Sequence, residues 1–203
     1  MTVVLDVDET LVCAFKPGKV PSALRGRGTF SLNVLGAGRL VIFKRPGLNE
    51  FLLRLSSFAE IVAFTAGMQG YAEPLLNALD PEGRLFSCRL YREATLSVRG
   101  RENVKDLGRL GRDLARVVLV DDNAWSFLLQ PANGVPAVPY LGSPNDGHLL
   151  GVILPLLEAL SRARDVRPVL QATFDMAGWF GRRGVCMYER PDRSLTAAAM
   201  LAH

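Results

Sequence analysis

The sequence predicts an α/β domain built around a parallel β-sheet. Short apolar runs rich in β-branched residues alternate with segments of helical periodicity, and acidic residues directly follow two of these runs, as expected for a parallel sheet that carries a site at its carboxyl edge. The chain has 203 residues, of which 49% are hydrophobic and 22% are charged. We therefore expect one domain with a sizeable core, since single domains usually contain about 100–200 residues.

Four segments are predicted as strands of this sheet because each is a short, continuous apolar run. They comprise residues 2–5, 61–64, 117–120 and 135–138. Three helices are predicted from apolar side chains at helical spacing. They span about residues 46–55, 71–79 and 146–160. Pro46 is expected in the first turn of the first helix, and Asp80 with Pro81 is expected to end the second.

Residues 11–43 fit neither the apolar runs of the sheet nor the helical spacing. The segments 29–34 and 40–43 are predicted as two strands joined by a glycine-rich turn, which makes a β-hairpin inserted after the first strand. The pattern also weakens toward the end of the chain. We therefore predict a domain at residues 1–164 and a C-terminal extension at 165–203 that packs loosely on the domain or serves as a docking arm.

Composition excludes several classes of function. The 24 basic and 20 acidic residues leave a net charge of only +4, and no run is dense enough to predict direct binding of nucleic acid. With His148 and His203 as the only histidines, a histidine metal cluster is excluded. The three cysteines form no CxxC motif and predict no disulfide framework, which favours a reducing compartment. No segment predicts a signal peptide or a membrane span.

Two acidic pairs follow predicted strands. Asp6 and Asp8 come after the first strand, and Asp121 and Asp122 come after the strand at 117–120. Because the carboxyl ends of parallel strands meet at one edge of a sheet, these carboxylates are expected to converge there. A lone Asp-x-Asp more often caps a turn, but a second acidic strand end favours a site. Oxygen ligands without histidine favour Mg²⁺.

Two further polar residues complete an ordered set. Thr65 directly follows the strand at 61–64, and Lys105 lies ahead of the Asp121 strand. Either residue alone is more often a cap or a solvated side chain. The order acidic pair, threonine, lysine and acidic pair is what makes the pattern specific.

This order resembles the haloacid dehalogenase superfamily. The segments DVDETLV, FKRPGLNEFLLRL, FTAGMQGYAEPLL and VLVDDNAWSFLLQPANGVPA resemble its FCP/SCP-type, NLI-interacting-factor-like phosphatases of the RNA polymerase II C-terminal domain. The resemblance implies a HAD-like Rossmannoid three-layer fold with a central parallel sheet, a small β-hairpin insert and no large cap domain. It also implies a Mg²⁺-dependent phosphatase that acts on phosphoserine or phosphothreonine in proteins.

The resemblance assigns a catalytic role to each of five residues. It implies that Asp6 attacks phosphorus to form an aspartyl-phosphate and that Asp8 protonates the leaving oxygen and then activates water. Thr10 is implied to orient Asp8 and the loop. Thr65 is implied to hydrogen-bond a phosphoryl oxygen, and Lys105 to supply fixed positive charge.

The metal ligands implied by the resemblance are Asp6, Asp8 through its main-chain carbonyl, and Asp122, with Asp121 beside them. The small phosphatases mostly carry asparagine at the position of Asp122. An aspartate there is expected to bind Mg²⁺ more tightly.

The resemblance also implies a substrate site. Phe15, Met68 and Tyr71 match an apolar pocket for a proline beside the phosphoserine, and Arg92 matches an arginine that contacts substrate. The alternative for these residues is ordinary core packing. The expected partner is a phosphorylated protein segment, with the Ser-Pro motifs of a polymerase C-terminal domain as the model. The oligomeric state is not predicted.

Two segments resemble a different relative. Residues 165–170 and 130–140 are similar to the FCP-like presequence-receptor subunit of the mitochondrial inner-membrane translocase. The alternative function is therefore a presequence or protein receptor with residual phosphatase activity, and a third is a small-molecule phosphatase. A nuclear or cytoplasmic location is favoured, and a mitochondrial one if an upstream targeting segment has been removed. Trp125 is expected to serve core packing.

Overall fold

A five-stranded parallel β-sheet lies at the centre of the computed structural model, which describes residues 1–34 and 38–185. Three further strands form a small antiparallel sheet, and two form a separate hairpin. In chain order the elements are β1 (Thr2–Leu5), β2 (Val12–Phe15), β3 (Phe30–Val34), β4 (Gly38–Lys44), α1 (Leu48–Ser56), β5 (Glu60–Phe64), α2 (Gln69–Leu79), β6 (Phe86–Leu90), β7 (Leu96–Val98), β8 (Arg101–Val104), β9 (Val117–Asp121), β10 (Gly134–Pro136), α3 (Leu154–Ser161), α4 (Arg167–Phe174) and α5 (Met176–Gly181).

The central sheet has the strand order β10-β9-β1-β5-β6, with every pair parallel. The four predicted strands are therefore confirmed, although the last of them ends at Pro136 rather than at residue 138. Strand β6 was not predicted. Only the first residue of this edge strand is buried, and Ser87 and Arg89 interrupt its apolar character, so it forms no continuous apolar run.

Side chains of the sheet alternate between two apolar clusters, which makes the fold three-layered. One face, with Val3 and Leu5, packs against α1, α2, α3 and α4. The opposite face, with Val4 and Val62, is covered by β8, short helical turns and α5. The predicted α/β class with a central parallel sheet is confirmed.

The insert after β1 is larger than the predicted hairpin. Strands β3 and β4 do pair as an antiparallel hairpin, but β2 adds to the other edge of β4 and makes a three-stranded sheet. The apolar side chains of Val12 and Cys13 are buried there, which explains why this segment forms a strand. Within the described residues the additions to the central sheet are this small sheet, the β7–β8 hairpin and short helical turns, and no large cap domain is present.

The predicted helices are confirmed with shifted ends. Helix α1 begins at Leu48, so Pro46 precedes it, and Gly47 occupies the position before the helix with a φ of 76° that favours glycine. Helix α2 carries Pro74 inside it. The third helix begins as a π-helical turn at Leu149–Ile153 and continues into α3. None of the helices in the described part of the chain is long and apolar enough to cross a membrane.

The start of the C-terminal extension is packed firmly. Val166 and Phe180 are fully buried and Leu170 is nearly so, so the expectation of loose packing is wrong for residues 166–180. Trp125 packs against Trp179 and Phe180 of α5, with ring centroids 5.7 and 5.5 Å apart. The expected packing role of Trp125 is thus confirmed. Residues 186–203 lie outside the described residues, and the domain boundary at 164 stays a prediction.

Candidate active site

The two acidic pairs meet in one open cleft at the carboxyl edge of the sheet. Strands β1 and β9 are hydrogen-bonded neighbours, with Leu5 aligned with Val120, so Asp6 and Asp121 follow at adjacent strand ends. The cleft has a volume of about 460 Å³. Its lining includes both acidic pairs, Thr65 and Lys105. The predicted convergence of these residues is therefore what the structure shows.

Lys105 joins the two strand ends. Its ammonium nitrogen Nζ lies 2.6 Å from Oδ1 of Asp6 and 2.6 Å from Oδ2 of Asp121. The side chain is 1% exposed. Burial alone would lower the pKa of Lys105, but the two carboxylates outweigh it and raise the pKa above its usual value. The lysine is therefore a fixed cation at the floor of the cleft.

Asp6 is the most perturbed carboxyl of the cleft. Burial, with a smaller effect from the charges of Asp121 and Asp8, raises its pKa to about 8 against the opposing effect of Lys105. Oδ1 of Asp6 accepts the hydrogen bond from Lys105, whereas Oδ2 accepts none from a described residue. Because every fully buried side-chain polar atom of the described residues has a partner, Oδ2 reaches the open cleft.

Asp8 has a different environment from Asp6. Its Oδ1 accepts a hydrogen bond from the hydroxyl of Tyr71. Burial raises the pKa of Asp8, although the hydrogen bond from Tyr71 and the more distant charge of Lys105 oppose the shift. The pKa of Tyr71 is also raised, mainly by burial and by the charge of Asp8, so its hydroxyl keeps its proton. Asp8 thus faces neutral donors, while Asp6 faces a cation.

Thr10 links the first acidic pair to the second. Its hydroxyl donates to Oδ1 of Asp122 at 3.0 Å, and the backbone N–H of Asp122 lies 3.3 Å from the same hydroxyl oxygen. These contacts join Thr10 to Asp122, and its role in orienting Asp8 and the loop stays a prediction. Burial and the neighbouring Asp121 raise the pKa of Asp122.

The loop that carries Asp6 and Asp8 is held from beneath. The buried guanidinium of Arg45 donates to the carbonyl of Thr10 at 3.1 Å and pairs with both oxygens of Asp146 at 2.8 and 2.9 Å. Glu9 has a φ of 58°, a left-handed conformation that is uncommon outside glycine and clusters at functional sites. The backbone N–H of Tyr140 donates to the carbonyl of Glu9 at 2.6 Å.

Thr65 and Arg92 shape the next loop. The Thr65 hydroxyl accepts a hydrogen bond from the backbone N–H of Gly67 at 2.9 Å, and Nε of Arg92 donates to the carbonyl of Ala66 at 2.6 Å. Arg92 therefore braces the Thr65 loop. Met68 directly precedes α2 and is 59% exposed. Phe15 packs edge-on against Phe43 in the small sheet, 5.8 Å away.

The structure does not bring the four predicted substrate residues together in the cleft. Phe15, Met68, Tyr71 and Arg92 are all absent from the residues that line it, although Tyr71 contacts Asp8. Their role in binding substrate stays a prediction.

The donor set fits a hard cation such as Mg²⁺. Asp6, Asp121 and Asp122 each offer a carboxylate oxygen, and these oxygens lie within 4.8 Å of one another. Both oxygens of Asp121 already accept hydrogen bonds, from Lys105 and from the backbone N–H of Asn123 at 2.8 Å. Asp6 and Asp122 each keep an oxygen that accepts no side-chain hydrogen bond from a described residue. Asp6 and Asp122 therefore have an oxygen free for a cation, whereas Asp121 binds Lys105. Ligation by the main-chain carbonyl of Asp8 stays a prediction.

The cleft also includes residues that the sequence pattern did not single out. Asn103, Asn123 and Ser126 line it. Asn103 has a φ of 61°, and the carbonyl of Ser126 accepts the backbone N–H of Lys105 at 3.2 Å. Asn123 was discoverable, since it directly follows the second acidic pair. Ser126 lines the cleft because of how β8 contacts the turn after β9, and the residues next to it in the sequence do not predict this.

Comparison with known proteins gives one family for most of the chain. The model of the NLI interacting factor-like phosphatases matches residues 1–167. A probable C-terminal domain small phosphatase of Dictyostelium discoideum is 40% identical over 171 residues, which cover 83% of this chain and 53% of that protein. The human carboxy-terminal domain RNA polymerase II polypeptide A small phosphatase 1 is 40% identical over 173 residues, 83% of this chain and 62% of that protein.

Two solved structures share the fold. The fission yeast RNA polymerase II CTD phosphatase Fcp1 bound to beryllium fluoride matches with a TM-score of 0.54 and 23% identity, over 94% of this chain and 68% of that one. A second structure of Fcp1, an essential RNA polymerase II CTD phosphatase, gives a TM-score of 0.52 and 27% identity over 94% of this chain and 55% of that one. These matches do not support the alternative of a presequence receptor.

Proposed function

The chain belongs to the NLI interacting factor-like phosphatase family, and we propose that it hydrolyses phosphoserine and phosphothreonine in proteins, with Mg²⁺ as cofactor and an aspartyl-phosphate as intermediate. The observation that carries the proposal is the contrast between two carboxylates of one loop. Asp6 contacts the ammonium of Lys105, and Asp8 contacts the neutral hydroxyl of Tyr71. Such opposed environments suit a nucleophile and a general acid.

In the first half of the reaction, a carboxylate oxygen of Asp6 attacks phosphorus as the bond from phosphorus to the serine oxygen breaks. Asp8 donates its proton to that leaving oxygen, and its raised pKa favours the protonated form that this step needs. In the second half, Asp8 accepts a proton from water, and the resulting hydroxide attacks phosphorus and releases phosphate and Asp6. Lys105 stabilises the charge of the phosphoryl oxygens from a fixed position.

Mg²⁺ would be held by Asp6 and Asp122. When bound, the cation supplies positive charge that favours ionised Asp6 and neutralises phosphoryl oxygens. The carboxylates themselves support this assignment, because burial and the neighbouring charge of Asp121 raise the pKa of both. Thr10 holds Asp122 in place, and Asp121 holds Lys105.

We also propose that the substrate is a segment of protein. The cleft is open to solvent and no large cap covers it within the described chain, so an extended peptide can enter with residues on both sides of its phosphoserine. The names of the relatives point to the C-terminal domain of RNA polymerase II, and we propose its Ser-Pro motifs as the model substrate. The chain spans 53% and 62% of the length of the two relatives described. The substrate assignment is therefore a proposal for the whole protein.

The test is release of phosphate from phosphoserine peptides, a generic aryl phosphate and small phosphate metabolites, with Mg²⁺ and with chelator. We expect Mg²⁺-dependent turnover of the peptides and the aryl phosphate, and weak turnover of the metabolites. A preference for metabolites would overturn the protein substrate. In a structure with beryllofluoride, density is expected on Asp6, and density on another carboxylate would contradict the assigned nucleophile.

The proposed location is nuclear or cytoplasmic. Cys13 and Cys88 are both free thiols, which fits a reducing compartment. Imaging of the tagged full-length protein tests this, and a mitochondrial signal would contradict it.

A further inference from the structure

The basic residues of the chain are not evenly spread. Residues 10–49 contain seven lysines and arginines and no acidic residue. The other residues hold 17 basic and all 20 acidic side chains, so their formal balance is negative. The small net charge of the whole chain therefore hides a cationic segment, and this segment is the insert that forms the small antiparallel sheet.

Five of the seven cations face solvent and have no carboxylate partner among the described residues. The exposed side chains are those of Lys16, Lys19, Arg25, Arg27 and Arg39, here called the basic surface. None of the five forms an ion pair with a described residue; Arg39 only donates to the hydroxyl of Ser31 at 3.3 Å. Arg45 differs, since it is buried and paired with Asp146. The basic surface thus keeps its charge available for an external anion.

The loop that carries four of these cations is anchored to the fold. Leu24 is 7% exposed and packs with Cys13, Phe43 and Tyr140 in a separate apolar cluster. Val20 packs on the same cluster. Two short 3-10 turns, Pro17–Lys19 and Ser22–Leu24, shape the loop between these anchors. The loop that carries these charges is therefore held in place by apolar packing.

This loop lies next to the cleft. Tyr140, which packs against the anchor of the loop, donates its backbone N–H to the carbonyl of Glu9 at 2.6 Å. Asp8 forms a bridge with Val12 at the start of β2. The strand then leads to Lys16, about 13 Å farther on at about 3.3 Å per residue. An extended peptide with its phosphoserine at Asp6 and Asp8 reaches the basic surface within about five to eight residues.

We propose that the basic surface binds an acidic or phosphorylated stretch of the substrate protein, about five to eight residues from the phosphoserine that is hydrolysed. This inference rests on the proposed phosphatase function and adds a second point of recognition to it. The cleft itself carries five carboxyl groups against one lysine, so it offers little long-range attraction to an anionic chain. The basic surface supplies that attraction.

A peptide fits this surface better than a nucleic acid does. Binding of single strands combines cations with exposed aromatic rings on which bases stack. In the described part of the chain no aromatic side chain is among the large exposed apolar residues, and Phe15 and Phe30 beside the surface are half-buried.

The test compares two phosphoserine peptides of equal length. One carries blocks of three glutamates that begin five residues from the phosphoserine on both sides, and the other carries glutamine at those positions. We expect kcat/KM to be about tenfold higher for the acidic peptide at low salt, and the two to converge at high salt, because exposed charges are worth little singly and are screened. The same preference is expected in the affinity of the labelled peptides, measured by anisotropy in chelator.

The decisive variant is Arg25→Gln with Arg27→Gln, since both side chains are exposed and form no ion pair within residues 1–34 and 38–185. The matched control is Arg162→Gln with Arg164→Gln, which removes the same charge from exposed positions. That control site lies near the opposite edge of the sheet, where Arg116 binds the carbonyls of Ser161 and Ala163. The ratio of kcat/KM for the acidic peptide to kcat/KM for the glutamine peptide is expected to fall toward one in the first variant. It is expected to stay unchanged in the control.

Each outcome bears on the proposal separately from catalysis. Equal kcat/KM for the two peptides in the unmodified protein would overturn the basic surface while leaving the phosphatase intact. An equal loss in both double variants would mean that net charge alone is responsible, and would also overturn it. Tighter binding of a single-stranded oligonucleotide than of the acidic peptide would assign the surface to nucleic acid. Absence of turnover with any phosphate ester would contradict the proposed function. The relative affinities of the two labelled peptides, measured by anisotropy, would still show whether the basic surface binds the acidic peptide.

Discussion

The two edges of the central sheet use carboxylates in opposite ways. At the amino edge, Asp80 accepts hydrogen bonds from three successive backbone N–H groups at the start of β6, at 2.9, 3.1 and 3.2 Å. Burial alone would raise its pKa, but these donors hold the pKa below its usual value. Glu60 starts β5 and accepts hydrogen bonds from Arg112 and Thr2, which lower its pKa to about 2.

At the carboxyl edge the balance is reversed. Burial is the largest cause that raises the pKa of Asp6, to about 8, and the pKa of Asp8 and Asp122, and neighbouring acidic charges add to the shift in each case. Ionised Glu60 and Asp80 therefore stabilise the folded chain, whereas the ionised carboxylates of the cleft oppose folding. Perturbation of this kind is a mark of functional sites. The difference shows which edge serves structure and which serves chemistry.

The largest expected effect that sharpens this contrast is that of Asp6→Asn. The amide cannot attack phosphorus, so release of phosphate is expected to fall below detection, and turnover near that of the unmodified protein would show that another group is the nucleophile. Asp80→Asn is the matched control at the amino edge. It should retain turnover and lose about 2 kcal/mol of unfolding free energy, since hydrogen bonds to a charged group weaken. Phosphate release and denaturant unfolding of both variants measure this.

Lys105→Ala is expected to lower turnover about 10²–10³-fold with Mg²⁺ present, by analogy with loss of one preorganised donor. The fold should persist, because the bound cation still compensates Asp6. Arg112→Ala removes the corresponding cation at the amino edge and should leave turnover unchanged. Steady-state kinetics and melting temperatures compare the two. If Lys105→Ala melted far below the unmodified protein in Mg²⁺, the lysine would be primarily structural.

Asp122 tests whether the carboxyl edge is built for a cation. Asp122→Asn should weaken Mg²⁺ binding about tenfold but keep activity. Asp122→Ala should weaken Mg²⁺ binding by more than about 100-fold and abolish turnover at ordinary Mg²⁺ concentrations. Addition of millimolar Mg²⁺ should also raise the melting temperature of the unmodified protein, because the cation binds only the folded state. Titration of all three forms is the measurement. Equal half-saturation in the unmodified protein and in Asp122→Ala would remove this residue from the metal site.

The smallest effect is expected at Glu60. Its pKa is lowered on folding, so its contribution to stability is present above the unfolded pKa of about 4.5 and is lost as pH falls from there toward 2. Because the pair with Arg112 is partly exposed, Glu60→Gln should cost less than about 1 kcal/mol at pH 7. The difference between the two proteins should vanish near pH 2. Unfolding curves at several pH values test this, and a difference that grew on acidification would contradict the sign.

Much of the fold was accessible from local pattern. Four strands and three helices followed from the alternation of apolar runs and helical spacing, and the acidic pairs marked the strand ends. The edge strand β6 escaped because Ser87 and Arg89 interrupt its apolar character. The insert was underestimated because β2 is only four residues long. The firm packing of α5 was not predictable, since Met176 and Phe180 acquire their role only by covering the second face of the sheet.

The sequence by itself determined the kind of sheet and which carboxylates end its strands, because strand propensity and the position of a polar residue after an apolar run are local properties. Only the tertiary structure decided that β9 lies beside β1, that Lys105 stands between Asp6 and Asp121, and that Tyr71 donates to Asp8. These partners are separated by 16 to 99 residues, and strand order brings them together. The pKa of Asp6 follows from that assembly and not from the residues on either side of it.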